Sequence, residues 1–477
     1  MKFPIKRLST LAILLCGIPW MLAAQETSPL SLQDLFVLIK SNHPVAKQIN
    51  LLSDRAKENL RIARGGFDPK LYGEYDDKFF DDKNYWRTFE GGLKVPTRLP
   101  LDIKSGFAWN DGSYLNPKQS LPAHGQLSLG ANLSVGQGLM MDARRASLRK
   151  AKIFQELAEV EQFRMLNDLL FEAATAYWQW SRDYSRQQVL EDAVEAASGR
   201  FDAIRSMYLA GDQAGIDTTE ALTQLLSFQL RLQEINIELQ TSRLQLSNYL
   251  WNDENLPLQL TDDIIPLQLE EVMIPSDLAI DSLERLLDRI EMHPEVQQLN
   301  FQQSTLEVER RVKREKLKPV IDLEYSLLSP PNTLSPEGIG DGGLELGHNT
   351  KWGVSVGFPL FLRKERGELN LNKIKMQETA WKQEQKRLQT RNKILAYAQE
   401  FRILRDQVMI SQEAVENYQR LLDGEEMKLQ MGESTIFYIN TREIKLLETQ
   451  MKLLDLMFKL LKSEAGLLWA SGTPLAN

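Results

Sequence analysis

An internal duplication is the feature that most restricts the fold of this 477-residue sequence. The segments GFDPKLYGEY at 66–75 and KLKPVIDLEY at 316–325 match at an offset of 250 residues, and the same offset aligns His43 with His293, each of which precedes a proline. Farther along the chain the offset falls to 221, so the first copy contains extra residues in the region 76–130. The duplication therefore predicts two structural repeats built on one plan.

Leucines recur every seven residues in the last part of each copy. The first row is Leu225, Leu232, Leu239 and Leu246, and the second row, 221 residues later, is Leu446, Leu453, Leu460 and Leu467. A seven-residue apolar repeat with three- and four-residue spacing is typical of a coiled-coil seam. Each row follows a long proline-free helical pattern and a glycine-containing turn, so each copy is predicted to end in an antiparallel helical hairpin.

The elements predicted for the two copies follow the same order. In the first repeat, at 25–260, we predict strands at about 67–80 and 125–136 and long helices at about 140–208 and 217–250; after a linker at 261–274, the second repeat, at 275–477, has strands at about 319–328 and 351–360 and long helices at about 362–430 and 438–470. At ~1.5 Å per residue, the longest helices would extend roughly 100 Å. The predicted fold is mainly α, with a duplicated strand-strand-helix-helix plan that a compact domain cannot accommodate.

The predicted strands alternate between apolar and polar residues. Ile321, Leu323 and Tyr325, for example, alternate with Asp322 and Glu324. Such alternation predicts one dry and one wet face. It fits a soluble sheet packed on a core, and it equally fits a membrane barrel whose apolar face contacts lipid.

The number of strands bears on how a membrane barrel would close. Four strands cannot close a barrel, because closure requires about eight or more, and open sheet edges are not tolerated in lipid. The chain must therefore oligomerise if its strands lie in a membrane. A further alternating segment at 86–110 has no counterpart in the second copy, and it predicts either additional barrel strands or an external cap.

The N-terminus indicates export. Residues 1–24 combine the basic Lys2, Lys6 and Arg7 with an apolar stretch and small residues before the expected cleavage point, as in a secretory signal peptide. Beyond it, no apolar run reaches the ~18 residues of a membrane helix. The exported chain is therefore either soluble or in contact with a membrane through β-strands.

The sequence lacks patterns typical of a catalytic, metal or cofactor site. The only cysteine, Cys16, lies in the signal peptide, which leaves no thiol nucleophile or disulfide in the mature chain. The GIGDGG segment at 338–343 has dinucleotide-like spacing but precedes a strand rather than a helix. The histidines show no zinc-site spacing, and the net charge of −8 gives no reason to expect nucleic acid. We expect no enzyme activity and no cofactor.

Three segments, together with the duplicated plan, resemble the TolC-like outer-membrane efflux proteins. They are LSLQDLFVLIKSNHP near the N-terminus, LSVGQGLMMDARRASLRKAK after the return strand, and the YLAGDQAGIDTTEALTQL turn. The resemblance implies a homotrimer with a 12-stranded barrel in outer-membrane lipid of a Gram-negative bacterium and an α-helical barrel that crosses the periplasm. It also implies a passive exit duct of a tripartite efflux or type I secretion system, opened when a periplasmic adaptor and an inner-membrane transporter dock.

The resemblance assigns roles to residues at the two helix turns. The adaptor-docking tips would include Gly211, Asp212, Gly432 and Glu433, and the pore constriction would involve Asp217, Glu220, Phe437 and Tyr438. The first copy has the acidic residues that often narrow such channels. The second copy departs from this pattern, because Tyr438 and Thr441 stand at the positions that match Asp217 and Glu220, so a bulkier, more aromatic constriction is an alternative to an acidic ring.

Two other classes of protein compete with a channel. A soluble periplasmic coiled-coil scaffold or adaptor would explain the long helices and would place the strands in an ordinary β-domain. An exported enzyme is disfavoured because the sequence has no catalytic constellation. The sequence does not identify the substrate, which could be a drug, a metal or a protein.

Overall fold

The computed structural model describes residues 29–273, 280–329 and 349–475, so the predicted signal peptide at 1–24 and the segment at 338–343 lie outside the described residues. The helices are α1 (Leu32–Asn42), α2 (Pro44–Gly65), α3 (Ala143–Ala210), α4 (Gly215–Ser247), α5 (Ile280–Asp288), α6 (Pro294–Glu315), α7 (Arg363–Gln430) and α8 (Ile436–Ala470). The strands are β1 (Lys70–Phe80), β2 (Lys83–Pro96), β3 (Leu101–Asp111), β4 (Gln126–Ser134), β5 (Val320–Leu328) and β6 (Thr350–Gly357). The chain is mostly helical, with one small antiparallel sheet.

The longest helices, α3 and α7, each contain 68 residues, which corresponds to about 100 Å. Their return partners α4 and α8 contain 33 and 35 residues. Each return helix therefore pairs with only about half of its long partner, and the rest of α3 packs between α2 and α6. None of the described helices contains a segment both long and apolar enough to cross a bilayer.

The heptad leucines form the buried seams of the two hairpins, as the sequence predicts. Leu239 and Leu246 in α4 are 2% and 0% exposed, and Leu460 and Leu467 in α8 are 2% and 3% exposed. The seams even share a polar position, because the Ser242 and Ser463 hydroxyls each donate to the carbonyl three residues earlier, at 3.0 and 2.7 Å. The duplication therefore extends to the packing of the helices.

The described part of the predicted linker packs into the main core. Leu269 is fully buried together with Tyr177 and Trp180 of α3. The Ser181 hydroxyl donates to the Leu267 carbonyl at 2.5 Å, and the Leu267 amide donates to the Tyr177 hydroxyl at 3.3 Å. The connection between the repeats is thus tied to the outgoing helix of the first repeat.

The six strands form a single antiparallel sheet in the order β1-β2-β3-β4-β5-β6. The pairing of β4 with β5, with Leu129 opposite Leu327, joins the two repeats. The segment predicted as a possible extra hairpin at 86–110 forms β2 and β3, which lie between β1 and β4 within the sheet. Of the two alternatives predicted for this segment, the structure shows additional strands: the first repeat has four strands, because the hairpin pairs on both of its edges.

The duplicated histidines cap equivalent helices. The Nδ1 atom of His43 accepts from the Val45 amide at 3.2 Å at the start of α2, and that of His293 accepts from the Glu295 amide at 3.3 Å at the start of α6. Both rings are buried, and burial lowers the pKa of each below 6.5. Because a protonated Nδ1 cannot accept a hydrogen bond, both caps require neutral imidazoles.

These caps predict a pH-dependent stability. The unfolded histidines titrate near 6.5, whereas the folded ones bind protons only at lower pH, so the stabilisation is present above 6.5 and is lost as pH falls through the folded pKa values. The double variant His43→Asn, His293→Asn keeps a capping acceptor that does not titrate and should show a flatter dependence, since each cap contributes about 1 kcal/mol. Thermal unfolding between about pH 7.5 and 5.5 tests this, and equal slopes for the two proteins would contradict it.

Candidate functional site

The sheet has one apolar and one polar face. Directly opposed residues of neighbouring strands share a face, so the register shows on which face of the sheet each side chain lies. One apolar-face residue from each strand in order is Leu71, Leu93, Ile103, Leu129, Leu323 and Val354, and one polar-face residue from each is Glu74, Glu90, Lys104, Asn132, Glu324 and Lys351. The extra hairpin divides its side chains in the same way as the duplicated strands, which indicates that it belongs to the same wall.

The apolar face is not covered by any part of the chain that the structure describes. Leu71 is 84% exposed, Trp352 is 73% exposed and Val356 is 69% exposed. A soluble sheet would bury such residues against a core. A lipid-facing wall leaves them outside and places polar residues toward a lumen.

The polar face is lined by charged side chains that pair across strands. Lys94 lies 3.4 Å from Asp102, Lys104 lies 3.8 Å from Glu324, and Asp102 also binds Arg144 at the start of α3 at 2.9 Å. The Arg144 contact connects the polar face directly to the first long helix. A hydrated surface therefore continues from the sheet onto the helices.

A pair of glycines on the polar side of the sheet allows β2 and β3 to approach each other closely. Gly92 lies opposite Gly106, and the Tyr72 hydroxyl of β1 lies next to both. A Cβ at Gly92 would lie 2.3 Å from the Ser105 carbonyl oxygen and 3.0 Å from the Tyr72 hydroxyl. Glycines within strands are a means of curving a sheet, and curvature is what a barrel wall requires.

The two helical hairpins end in turns of the same construction. Gly211 and Gly432 have φ values of 84° and 78°, a left-handed conformation that glycine adopts without strain. At the first tip the Asp212 amide donates to the Met207 carbonyl at 2.9 Å, and at the second the Glu433 amide donates to the Lys428 carbonyl at 2.9 Å. This helix-ending pattern places the four predicted docking residues at equivalent positions.

The tips of the two hairpins meet at one end of the molecule. Ile204 of α3, Ala221 of α4 and Ile436 of α8 form a shared buried cluster. The residues predicted for the constriction follow the two turns: Asp217 and Glu220 are partly buried in α4, and Phe437 and Tyr438 in α8 are 59% and 51% exposed. The two aromatic rings contact each other edge to face at 5.7 Å. All eight predicted tip and constriction residues therefore lie at one end.

A buried ion pair that the sequence analysis missed joins the two hairpins. Arg200 of α3 donates to both carboxylate oxygens of Glu443 in α8, at 2.7 and 3.0 Å, and the two side chains are 16% and 8% exposed. Neither residue has a charged equivalent 221 positions away, because those positions are Leu421 and Leu222. The repeat pattern therefore contains no signal for this contact, which links one repeat to the other.

Apolar side chains around the first turn were also missed. Leu209 is 76% exposed and Ile216 is 70% exposed on either side of Gly211, and Met431 at the second turn is 66% exposed. Large apolar residues grouped on an exposed surface are typical of protein interaction sites. The sequence signal for these residues is that they do not fall on the heptad positions. A large apolar residue outside those positions is not needed for packing within the hairpin and is therefore a candidate for contact with another molecule.

The sheet and the hairpins together define a class of protein. A wall with a lipid-compatible face continues into helices of about 100 Å that end in a shared tip, which is the architecture of an outer-membrane export channel. The chain belongs to the outer membrane efflux protein family, whose model matches residues 102–250 and 288–473. It is therefore an outer-membrane efflux channel protein rather than an enzyme.

Solved structures share this fold over nearly the whole chain. The Campylobacter jejuni outer membrane channel CmeC is 14% identical with a TM-score of 0.64, and covers 92% of this chain and 85% of its own. The Neisseria gonorrhoeae MtrE outer membrane channel, in an open state, is 14% identical with a TM-score of 0.67, over 93% and 89%. The Vibrio cholerae outer membrane protein VceC is 15% identical with a TM-score of 0.63, over 93% and 96%. A comparison with curated proteins gives no match.

Proposed function

We propose that three copies of this chain form a passive exit duct from the periplasm to the cell exterior. The observation on which this rests is that a sheet with an uncovered apolar face continues directly into the helical hairpins. Strands β1 and β6 are the two edges of the sheet, and unpaired edges are costly in lipid. Pairing of β6 in one chain with β1 in the next would remove both edges and close a ring.

Three such chains would contribute eighteen strands, because the described residues of each form six. This differs from the 12-stranded barrel that the family resemblance implies. The support for the larger number is that β2 and β3 pair on both sides and have the same apolar and polar faces as their neighbours. Since barrel diameter grows roughly linearly with strand number, the barrel of this protein would be wider than a 12-stranded one.

The helix tips are the proposed docking site for a periplasmic adaptor and an inner-membrane transporter. Leu209, Ile216 and Met431 provide exposed apolar surface beside the acidic Asp212 and Glu433. The transporter would supply the energy, and docking would open the constriction at the aromatic and acidic side chains. A tripartite efflux pump and a type I secretion system would both use a duct of this kind.

Fractionation of cells that express the full chain tests the proposal. We expect the protein in the outer membrane, soluble only with detergent, and with the mass of a trimer. A deletion strain should accumulate compounds that an inner-membrane pump normally expels, and the wild-type gene should restore their export. Recovery of the mature chain as a detergent-free monomer in the periplasmic fraction would sink the proposal and support the soluble scaffold instead.

A further inference from the structure

A basic groove lies where the sheet joins the first long helix. It has a volume of about 340 Å³ and is lined by Arg98 of the β2–β3 turn, by Arg145, Arg149 and Lys152 of α3, and by the apolar Met140 and Leu148. No carboxylate is among its lining residues. The extra hairpin thus contributes a cation to a surface at the foot of the barrel wall.

Most of the positive charge in the groove is uncompensated. Arg145 is held by its contact with Asp142 at 3.4 Å and by donation to the Leu139 carbonyl at 3.2 Å. Arg98, Arg149 and Lys152 form no ion pair within the described residues and are exposed to solvent. Like charges four residues apart on a helix repel, as Arg145 and Arg149 do. An anion bound in the groove would relieve this repulsion.

The groove lies on a face of α3 that α2 and α6 do not cover. The neighbouring helices contact other faces of α3, with Lys150 pairing with α6 through Glu309. Arg144 binds Asp102 on the polar face of the sheet at 2.9 Å. Because successive helical residues are rotated by about 100°, the row of Arg145, Arg149 and Lys152 points away from both contacts, and α3 already has α2 and α6 at its sides. In the proposed ring of three chains, this direction corresponds to the exterior rather than the lumen.

Apolar side chains border the groove at the same level. Leu99, Leu139 and Met140 are 64%, 38% and 72% exposed. The strands of the apolar face end here and the helices begin, so this level corresponds to the boundary between lipid and periplasm in the proposed orientation. Cations next to exposed apolar residues at such a boundary suit a phosphate headgroup and its acyl chains.

The described part of the second repeat does not contain the full set of groove cations. At an offset of 221, Arg149 corresponds to Asn370, and among the described residues of the second repeat no turn between strands corresponds to the one that contains Arg98. Arg145 and Lys152 do have basic equivalents, Arg366 and Lys373. The full set of cations therefore depends on the extra hairpin of the first repeat.

We infer that this groove binds an anionic phospholipid of the periplasmic leaflet of the outer membrane, with the headgroup phosphate on Arg98, Arg149 and Lys152 and an acyl chain along Met140 and Leu99. The inference rests on the proposed function, because it requires the strands to lie in the membrane. A lipid bound here would fix the depth of each chain in the bilayer, because it holds the junction of barrel and helices at the level of the headgroups.

The test uses the purified full-length trimer and the triple variant Arg98→Gln, Arg149→Gln, Lys152→Gln. Bound lipid is counted by native mass spectrometry after addition of phosphatidylglycerol or, separately, zwitterionic phosphatidylcholine. We expect phosphatidylglycerol to bind the wild type with preference and to bind the variant roughly 100-fold more weakly, because each cation near an anionic lipid contributes about a factor of five. The control variant Lys375→Gln, Lys382→Gln, Arg391→Gln removes three exposed cations from α7 and should bind like the wild type.

The possible outcomes distinguish failure of the lipid site from failure of the proposed duct. Equal phosphatidylglycerol binding by the wild type and the triple variant overturns the lipid site, even if the protein is a trimer in the outer membrane. Thermal stabilisation by inorganic phosphate alone, equal to that by phosphatidylglycerol, also overturns it, because the groove would then be a site for free anions. A soluble, monomeric wild type overturns the proposed function and the lipid site together.

Discussion

Excision of residues 83–111 is expected to narrow the barrel without preventing assembly. This change removes β2 and β3, and the retained loop at 112–125 joins β1 to β4 at the end of the sheet remote from the helices. Each chain would keep four strands, and a trimer twelve in place of eighteen. Because diameter is roughly proportional to strand number, the barrel should shrink to about two-thirds of its width. Electron microscopy of the detergent-solubilised protein, viewed along the barrel axis, measures this.

The matched control removes residues 113–120 of the outer loop and leaves all six strands, so its barrel should keep the wild-type width. An excision variant that assembles with an unchanged diameter would place the hairpin outside the wall and restore the 12-stranded barrel.

Cysteine cross-linking tests the same arrangement if the excision variant does not assemble. Apart from Cys16 in the predicted signal peptide the chain has no cysteine, so introduced pairs report only their own distance. Glu74→Cys with Glu90→Cys places two thiols directly opposite each other on β1 and β2, and should form a disulfide on oxidation. By the register Glu74 is level with Gln126 of β4, so the pair Glu74→Cys with Asn132→Cys is three strand spacings and six residues apart, roughly 25 Å, and should not form a disulfide. A cross-link in the second pair alone would show that β1 lies beside β4.

Replacement of the two tip aromatics is expected to open the duct. The double variant Phe437→Ala, Tyr438→Ala removes bulky rings that are more than half exposed at the shared tip. Hydrophobic constrictions restrict ion flow by their width and by excluding water, so single-channel conductance in planar bilayers should rise several-fold. Cells that produce the variant should also admit antibiotics too large for the closed duct.

The control for the tip is Trp381→Ala, which removes an aromatic side chain of 68% exposure from the shaft of α7 and should leave the conductance unchanged. If the aromatic variant conducts like the wild type, the constriction lies with the acidic residues of the first copy. The variant Asp217→Asn, Glu220→Gln would then lower the permeability to cations relative to anions, because it removes two negative charges from the constriction, whereas the aromatic variant would leave this ratio unchanged.

Much of the helical architecture was predictable from the sequence, for a physical reason. Coiled-coil seams such as Leu239 with Leu246, and Leu460 with Leu467, depend on spacing along the chain alone. The turns at Gly211 and Gly432 required only a glycine between two helical patterns. Each of these features depends on residues close together in sequence.

The contacts between segments that are distant in sequence were harder to predict. The ion pair of Arg200 with Glu443 joins residues 243 positions apart, and the basic groove combines Arg98 with a helix that starts at Ala143. Neither contact has a counterpart in the other repeat, so the duplication could not reveal it. Charged residues on a long exposed helix give the same sequence pattern whether or not they find a partner.

The sequence by itself determined the two repeats, the coiled-coil seams, the glycine turns and the alternating faces of the strands, because all of these follow from spacing along one chain. Only the tertiary structure decided that the 86–110 segment lies inside the sheet, between β1 and β4. Alternation specifies which side of a strand is apolar. It does not specify which strand lies next to it, because strands pair through backbone N–H and C=O groups, which nearly all residue types carry alike.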